Sequence, residues 1–534
     1  MQSLITRLAK QKYLKFLKTL LRQGHKEVVT KSTLPRSFLE FTTSKISIEE
    51  MLDIGYNIIE FYPIESMVKG VKIYAAIAEK EGELYYLPIE PKLNTFEEAM
   101  LQRIIVELVE RYVPKSFDLV RTPRQALLNA FTEVLIDTGL YRDLDKGSIV
   151  KLLYYVLRNL QGYGPIDVMV RDPYIEDISV PGIGKSIYVW HSRYENLRSP
   201  IIVSNEELLR EILTRIATLS NIQLTPVRPI VDARTPEGFR VNIVIEPATE
   251  PGTATIRKFR AIPFTILELV KYHVLDVDMA AYIWYLVENK RSIIIFGATG
   301  AGKTTLLNAI AMLIRPDMKV VTIEDTREIT LIHPHWVAMV AHEAPGSITK
   351  VTLFDLVKAS LRQRPDYIIV GEIRGEEAYV LFQAIATGHG GLTTMHAESK
   401  ETAVARLISP PMNIPPFQLK FVDAFVHIAR VRVHDRLTRR ILGIFEVVDV
   451  DLKTGKVEFN TVYQWTGEAT DTFEFNGSIV FERLAKLRGI TTSIVEQEVA
   501  ERKRILEELL RRKAYSYQEF AREVQEYYTS RRVI

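Results

Sequence analysis

The sequence predicts an α/β fold in which a mostly parallel sheet carries helices on its faces. Two observations lead to this. First, from residue 291 onward short apolar runs rich in β-branched residues alternate with segments of helical periodicity, the pattern of strand–helix–strand units. Second, the first of these runs, Ser292-Ile293-Ile294-Ile295-Phe296, leads into Gly297-Ala298-Thr299-Gly300-Ala301-Gly302-Lys303-Thr304. That stretch fits G-x-x-x-x-G-K-[ST] at Gly297, Gly302, Lys303 and Thr304. After it, beginning at Thr305, Leu306, Leu307, Ile310, Leu313 and Ile314 recur at helical spacing. The glycine-rich loop therefore joins a strand to a helix, the context the motif requires.

The chemistry of such a loop is direct. Glycines let the backbone curl so that successive N–H groups point inward at a polyphosphate. The start of the helix adds partial positive charge. Lys303 is placed to reach the β- and γ-phosphates, and the Thr304 hydroxyl to ligate Mg²⁺. Gly297 to Thr305 thus form the candidate nucleotide-binding set. The plain alternative, a glycine-rich turn matching by chance, is disfavoured by the flanking strand and helix.

Three further strands are expected in order. Lys319 to Ile323 ends in Glu324-Asp325, Tyr367 to Val370 ends in Gly371-Glu372, and Leu392 to Met395 ends in His396. Leu353 to Gln363 and Glu376 to Thr387 read as the intervening helices. Ligands of an open α/β sheet bind beyond the carboxyl ends of its strands. Four such ends here carry Lys303, Glu324, Glu372 and His396. Hydrolysis of a nucleoside triphosphate needs positioning, charge neutralisation and an oriented water. Glu372 is placed to hold Mg²⁺ through water or to polarise the attacking water, and Glu324 to act as general base. Which of the two is the base stays open. Asp325 has a structural alternative, the N-cap of a helix. His389 and His396 bracket Gly390-Gly391-Leu392-Thr393-Thr394-Met395 and are read as hydrogen-bonding groups, because no third metal-type ligand accompanies them; Mg²⁺ is the metal expected.

Composition narrows the class. The chain has 534 residues, 47% hydrophobic and 25% charged, with a formal net charge of +3. Its length suits about three or four domains, and its charge carries no nucleic-acid signature. It contains no cysteine, which excludes disulfides and cysteine-based zinc sites and fits an intracellular protein. No uninterrupted apolar run of about 18 residues marks a transmembrane helix, and no signal peptide is expected at the N-terminus.

Outside the core the reading is coarser. Residues 1–36 are basic, with Leu4, Leu8, Leu14, Leu17 and Leu21 interleaved among the charges. This is either an amphipathic leader that meets an anionic membrane or acidic partner, or a solvated segment. Residues 37–149 read as an N-terminal docking domain, with strands at Lys72 to Ile77 and Leu84 to Leu87 and a helix from Phe96 to Val113. Residues 150–262 read as a second domain with helices at Val150 to Leu160 and Glu206 to Leu219. Strands are expected there from Ile175, at Val241 to Ile245 and at Ala254 to Phe259, and Arg228, Arg234, Arg240, Arg257 and Arg260 lie on the late elements. A linker is placed at 263–275 and the catalytic domain at 276–480. From about 425 the pattern turns antiparallel, with strands at Phe425 to Val433, Arg439 to Val448 and Val457 to Trp465, and 481–534 reads as helical.

Together these segments resemble the type II/type IV secretion ATPase superfamily, whose members drive type II secretion, type IV pilus assembly and archaellum assembly. The resemblance rests on a Walker A motif at Gly297–Thr304, an aspartate box at Thr322-Ile323-Glu324-Asp325-Thr326-Arg327-Glu328, and a Walker B segment at Arg364 to Arg374. A histidine box follows at Thr387-Gly388-His389 to Thr394-Met395-His396-Ala397. Upstream, Arg171 to Gly182, Arg228 to Ala233 and Gly238 to Asn242 resemble the family's second N-terminal domain. The C-terminal helices, around Arg502 to Leu510, resemble the archaeal branch, and the lack of cysteine means that the four-cysteine zinc module of many bacterial members is missing.

The resemblance implies a RecA-like P-loop NTPase C-terminal domain preceded by an α+β, PAS-like N-terminal domain and a further N-terminal region. It implies a homo-hexamer with ATP and Mg²⁺ between the second N-terminal domain and the RecA-like domain. Arg240 and Arg257, less directly Arg234, would approach the phosphates, with Arg374 and His396 as couplers near the nucleotide. The expected partner is a polytopic membrane platform protein, with pilin-like or archaellin-like subunits acted on indirectly and no nucleic acid. The expected location is cytoplasmic, peripheral to the inner face of the cell membrane. Two competing readings are a RecA-like nucleic-acid translocase and a scaffold whose nucleotide only regulates assembly. The complete acidic set speaks against the scaffold, and the near-neutral charge against the translocase.

Overall fold

The computed structural model describes residues 55–112, 124–258, 263–342, 350–434, 436–452 and 454–531. The basic leader and the first part of the docking region lie outside the described residues. The chain divides into two compact units, Met1–Arg260 and Ala261–Ile534.

Among the described residues, the first unit is built on one nine-stranded sheet. Its strands are β1 (Asn57–Ile64), β2 (Ile73–Lys80), β3 (Glu83–Ile89), β4 (Ile175–Val180), β5 (Ser186–His191), β6 (Glu195–Ile202), β7 (Ile230–Arg234), β8 (Arg240–Val244) and β9 (Thr253–Arg257), in the order β1-β2-β3-β6-β5-β4-β9-β8-β7. β2 and β3 form a hairpin that turns through Glu81 and Gly82. Glu81 and Gly82 take positive φ of 55° and 81°, the backbone that tight hairpins favour. The sheet runs on from this hairpin into the second half of the unit, because β3 pairs with β6. One hydrophobic core likewise includes Ile73 and Ile77 from β2 and Ile178 and Val189 from later strands. The helix Lys146–Leu160 begins where Asp145 accepts the Ser148 backbone N–H at 2.7 Å, and it buries Leu152, Leu153, Val156 and Leu157 in that core.

Among the described residues, the second unit also carries nine strands: β10 (Ile293–Gly297), β11 (Val320–Glu324), β12 (Trp336–Val340), β13 (Tyr367–Val370), β14 (Gly390–His396), β15 (Ala424–Val433), β16 (Arg436–Val450), β17 (Val457–Trp465) and β18 (Phe473–Phe475). Their order is β12-β11-β13-β14-β10-β15-β16-β17-β18. β12 to β15 pair in parallel and β15 to β18 antiparallel. Side chains alternate between two cores, as the period of a strand requires. Ile293, Ile295 and Ile369 face one, with the helices Val277–Glu288 and Lys303–Ala311. Ile294, Phe296 and Ile368 face the other, with Leu353–Leu361, Glu377–Ala386 and Lys400–Ile408.

Within the stretch read as a linker, Ile266–Lys271 is a short helix started by a capping box between Thr265 and Glu268. Three helices close the chain, Ile479–Arg488, Thr492–Arg511 and Tyr517–Arg531. Among the described residues, no helix is long and apolar enough to cross a membrane.

Candidate nucleotide site at the carboxyl edge of the parallel sheet

β10 ends at Gly297, where the backbone passes so close to β15 that a Cβ would lie 2.1 Å from the Ile428 carbonyl oxygen. Only glycine fits there. The chain then curls through Gly300 (φ 72°) and Gly302 (φ 96°), both in the left-handed region that glycine enters without strain. Lys303 opens the helix. The loop thus has the backbone a phosphate cradle demands, and Thr304 and Thr305 sit on the first helical turn, partly accessible.

Parallel pairing fixes what meets the loop. Gly297 of β10 stands opposite His396 of β14, so the strand carrying the histidine delivers it to the start of the loop. Lys303 is buried and folds back over the loop. Its Nζ donates to the carbonyls of Gly297 (3.1 Å) and Ala298 (2.9 Å) and lies 3.2 Å from His396 Nδ1. Thr299 Oγ1 is 3.5 Å from the same nitrogen. On the other side of the ring, His396 Nε2 is 3.2 Å from Glu372 Oε1. An ammonium can only donate, so Nδ1 accepts from Lys303 and the ring proton resides on Nε2, facing Glu372. Lys303, His396 and Glu372 therefore form one line from the loop to the end of β13. Burial lowers the pKa of both Lys303 and His396. The Lys303 charge lowers that of His396 further, while Glu372 opposes the shift at both groups.

The second acidic residue is held differently. Glu324 is 3% exposed, and its Oε1 accepts backbone N–H groups from Glu328 (2.8 Å) and Ile329 (2.9 Å). It lies beside the end of β13, since a Cβ at Gly371 would be 3.1 Å from Glu324 Cγ. Asp325 does not cap a helix. No helix begins there, and its carboxylate takes Arg374 Nη2 at 2.5 Å, tying the segment after β11 to the segment after β13. His389 lies at the other end of β14 from His396, its Nδ1 3.0 Å from the Ala384 carbonyl oxygen.

Arg234, Arg240 and Arg257 belong to the first unit, where they are register neighbours across β7, β8 and β9. Arg257 pairs with Asp177 at 2.9 Å, and Arg240 lies 3.9 Å from Asp232. The sequence reading did not single out Arg406, which donates to the His396 carbonyl. Nor did it single out Arg439, whose Nε donates to the Gly300 carbonyl at 3.3 Å. Both are surface cations by composition, and only tertiary pairing brings them here.

The chain matches a family model described as type II/IV secretion system protein over residues 159–510. It belongs to that family. With its P-loop, the secretion family member is an ATP hydrolase with a RecA-like α/β core behind an N-terminal α+β region. A relative from Methanocaldococcus jannaschii, itself described only as uncharacterized, is 33% identical over 513 residues, covering 90% of this chain and 91% of the relative. The type IV secretion system protein PtlH of Bordetella pertussis is 34% identical over 239 residues, 40% of this chain and 70% of PtlH. Among solved structures, the VirB11 ATPase of the Brucella suis type IV secretion system, in complex with sulphate, is 27% identical. It covers 54% of this chain and 93% of VirB11, with a TM-score of 0.28.

Proposed function

We propose that the chain is a hexameric, Mg²⁺-dependent ATPase that powers a membrane-embedded machine. That machine assembles a pilus-like filament (pilus or archaellum) or drives type II-like secretion. The carrying observation is the line Lys303–His396–Glu372 at the carboxyl edge of a parallel sheet, beside a glycine loop shaped for phosphate. The loop's N–H groups and Lys303 neutralise the phosphate charge that grows as the bond to the leaving oxygen breaks. Glu372 accepts a hydrogen bond from the attacking water and turns its lone pair toward the γ-phosphorus; the γ-phosphoryl passes to that water and ADP departs. His396, neutral and donating through Nε2, holds the Glu372 carboxylate in place and reports its position to Lys303. Thr304 and Glu372 offer the hard oxygen donors that suit Mg²⁺, which would supply further charge neutralisation.

Glu372 is favoured over Glu324 for the water because it is about a third exposed, whereas Glu324 is buried with one oxygen engaged by its own loop. Arg240 and Arg257 are assigned to the phosphates in the assembled ring. Work on the filament is transmitted through a polytopic platform protein at the inner face of the membrane.

Partner identification tests this reading. The tagged protein is recovered from gently solubilised native membranes, and its companions are identified by mass spectrometry. A polytopic membrane protein with pilin-like or archaellin-like subunits is the expected result. Recovery of DNA, with ATP turnover stimulated by it, would replace the motor with a nucleic-acid translocase.

A further inference from the structure

Between β13 and the helix Glu377–Ala386 the chain runs through residues 371–376 without regular structure. Backbone groups there have no ladder or helix to satisfy them, so each needs a specific partner. The first comes from β11: the Gly371 N–H donates to the Ile323 carbonyl at 2.9 Å. The next two come from a single residue of β14. Thr394 Oγ1 donates to the Gly371 carbonyl at 2.8 Å, and the Thr394 carbonyl accepts the Ile373 N–H at 2.9 Å. Thr394 therefore holds the residue on either side of Glu372. It is buried, so water does not stand in for its hydroxyl. Side chains two apart on a strand share a face, and two residues on is His396, whose Nε2 meets Glu372 Oε1. One face of β14 thus holds both the backbone around Glu372 and its carboxylate.

The other end of the turn is fixed by Glu377. This is the first residue of its helix, and the Glu376 side chain does not cap that helix. The Glu377 carboxylate instead reaches back: its Oε1 accepts the N–H groups of Arg374 and Gly375, each at 2.7 Å. Glu377 is buried as well. A Cβ at Gly375 would lie 2.8 Å from Glu377 Oε2, so glycine leaves the carboxylate room to make both bonds. Arg374, held by its amide, carries its guanidinium to Asp325. Groups that served only to satisfy buried backbone could fall anywhere along the turn. Here they bracket one residue, Glu372.

We propose that Thr394 and Glu377 are positioning residues that fix the 371–375 turn and thereby aim the Glu372 carboxylate at the phosphate loop. Their role rests on the reading of Glu372 as the group that orients the attacking water. Misplacing such a group by about 1 Å costs about 100-fold in rate. A loosened turn therefore slows the chemical step, while nucleotide binding, the task of the loop, is kept.

The test compares Thr394→Val, Thr394→Ser, Glu377→Ala, Glu377→Gln and Glu372→Gln with the wild-type full chain. ATP turnover, ADP binding by calorimetry, denaturant titration and hydrogen–deuterium exchange of the segment 371–377 are measured. Valine keeps the shape of threonine without the hydroxyl, whereas serine keeps the hydroxyl. Thr394→Val is expected to lower kcat about 10- to 100-fold, with KM and the ADP dissociation constant within about threefold of wild type. Exchange in 371–377 should quicken in the nucleotide-free protein. Thr394→Ser should keep kcat within about threefold of wild type. Glu377→Ala should behave like Thr394→Val, and Glu377→Gln, which keeps the accepting oxygen, like Thr394→Ser. The positioning role is wrong if folded Thr394→Val or Glu377→Ala turns over within about twofold of wild type. It is equally wrong if Thr394→Ser is as slow as Thr394→Val, which marks packing, or if ADP binding weakens as much as kcat falls, which marks a site loosened as a whole. Undiminished turnover by Glu372→Gln would instead remove the reading of Glu372 on which that role rests. Should Thr394→Val fail to fold, Glu377→Ala and Glu377→Gln decide on the same criteria.

Discussion

Three side chains carry the proposed chemistry, and each can be separated from the others. Glu372→Gln keeps the size and the hydrogen bond to His396 but loses the charge that orients water. Its kcat should fall at least about 100-fold, the usual worth of a general base, while the ADP dissociation constant stays within a few-fold; stopped turnover with intact binding checks this. His396 supplies a pH signature. Its folded pKa lies below the ordinary value of 6.5, so the ring is neutral at neutral pH. The neutral ring contributes stability above the unfolded pKa, and that contribution is lost as pH falls through it toward the lower folded value. Protonation at Nδ1 would set two cations, the ring and Lys303, against each other. The acid limb of the kcat/KM profile should therefore lie below the usual histidine range, and His396→Gln should remove it. The positions of Lys303, Glu324, Glu372 and His396 beyond the strand ends were legible in the sequence, Lys303 from the glycine-rich loop pattern and the others from the short strands they follow. The Arg374–Asp325 pair was not, because a pairing between two strand ends leaves no trace in spacing.

Among elements, the β10–P-loop–helix unit decides the site, and Gly297 is its tightest point. A methyl there collides with the Ile428 carbonyl oxygen of β15, so Gly297→Ala should destabilise the second unit by about 1–3 kcal/mol, the range for overpacking. Denaturant titration of the variant measures this, and nucleotide affinity should fall with it. β10, β11 and β13 could be read from sequence because they are buried on both faces and form nearly continuous apolar runs; β14, with two threonines between Leu392 and Met395, was read from its place in the strand–helix alternation. β12 was missed. Its Trp336-Val337-Ala338-Met339-Val340 sits at the sheet edge, only partly buried, after a proline- and histidine-rich stretch. β16 was read three residues short at its start and two at its end; at the start, Arg436-Leu437-Thr438 resembles a charged turn and becomes a strand only by pairing with β15. The bulge at Leu442, where His427 faces Gly443 but Ile428 faces Ile441, depends on register alone, so the facing of Arg439 was out of reach of any pattern.

Across the whole chain, the C-terminal helices are part of the second unit's core. Arg502, 1% exposed, reaches Glu288 of the helix Val277–Glu288 through Nε (2.9 Å) and Nη2 (2.5 Å). Trp284 donates to Tyr528 at 2.7 Å. Removing one partner of a buried ion pair strands the other, so Arg502→Ala should cost about 3–5 kcal/mol. Proteolysis should then cut first between the helices Ile479–Arg488 and Tyr517–Arg531; unchanged denaturation and cleavage would contradict this. The α/β plan of the catalytic region and its antiparallel extension were legible from alternation of periodicity. The nine-stranded sheet of the first unit was not, because β5, β6 and β7 are mixed in polarity and the sheet is held together by pairings distant in sequence, β3 with β6 and β4 with β9.

The central claim is that this loop and its Lys303–His396–Glu372 line hydrolyse ATP. The most direct measurement is steady-state phosphate release by the full chain with and without Mg²⁺, beside Lys303→Ala at matched circular dichroism. The account predicts Mg²⁺-dependent turnover that Lys303→Ala abolishes. Undiminished turnover in a folded Lys303→Ala protein would contradict it.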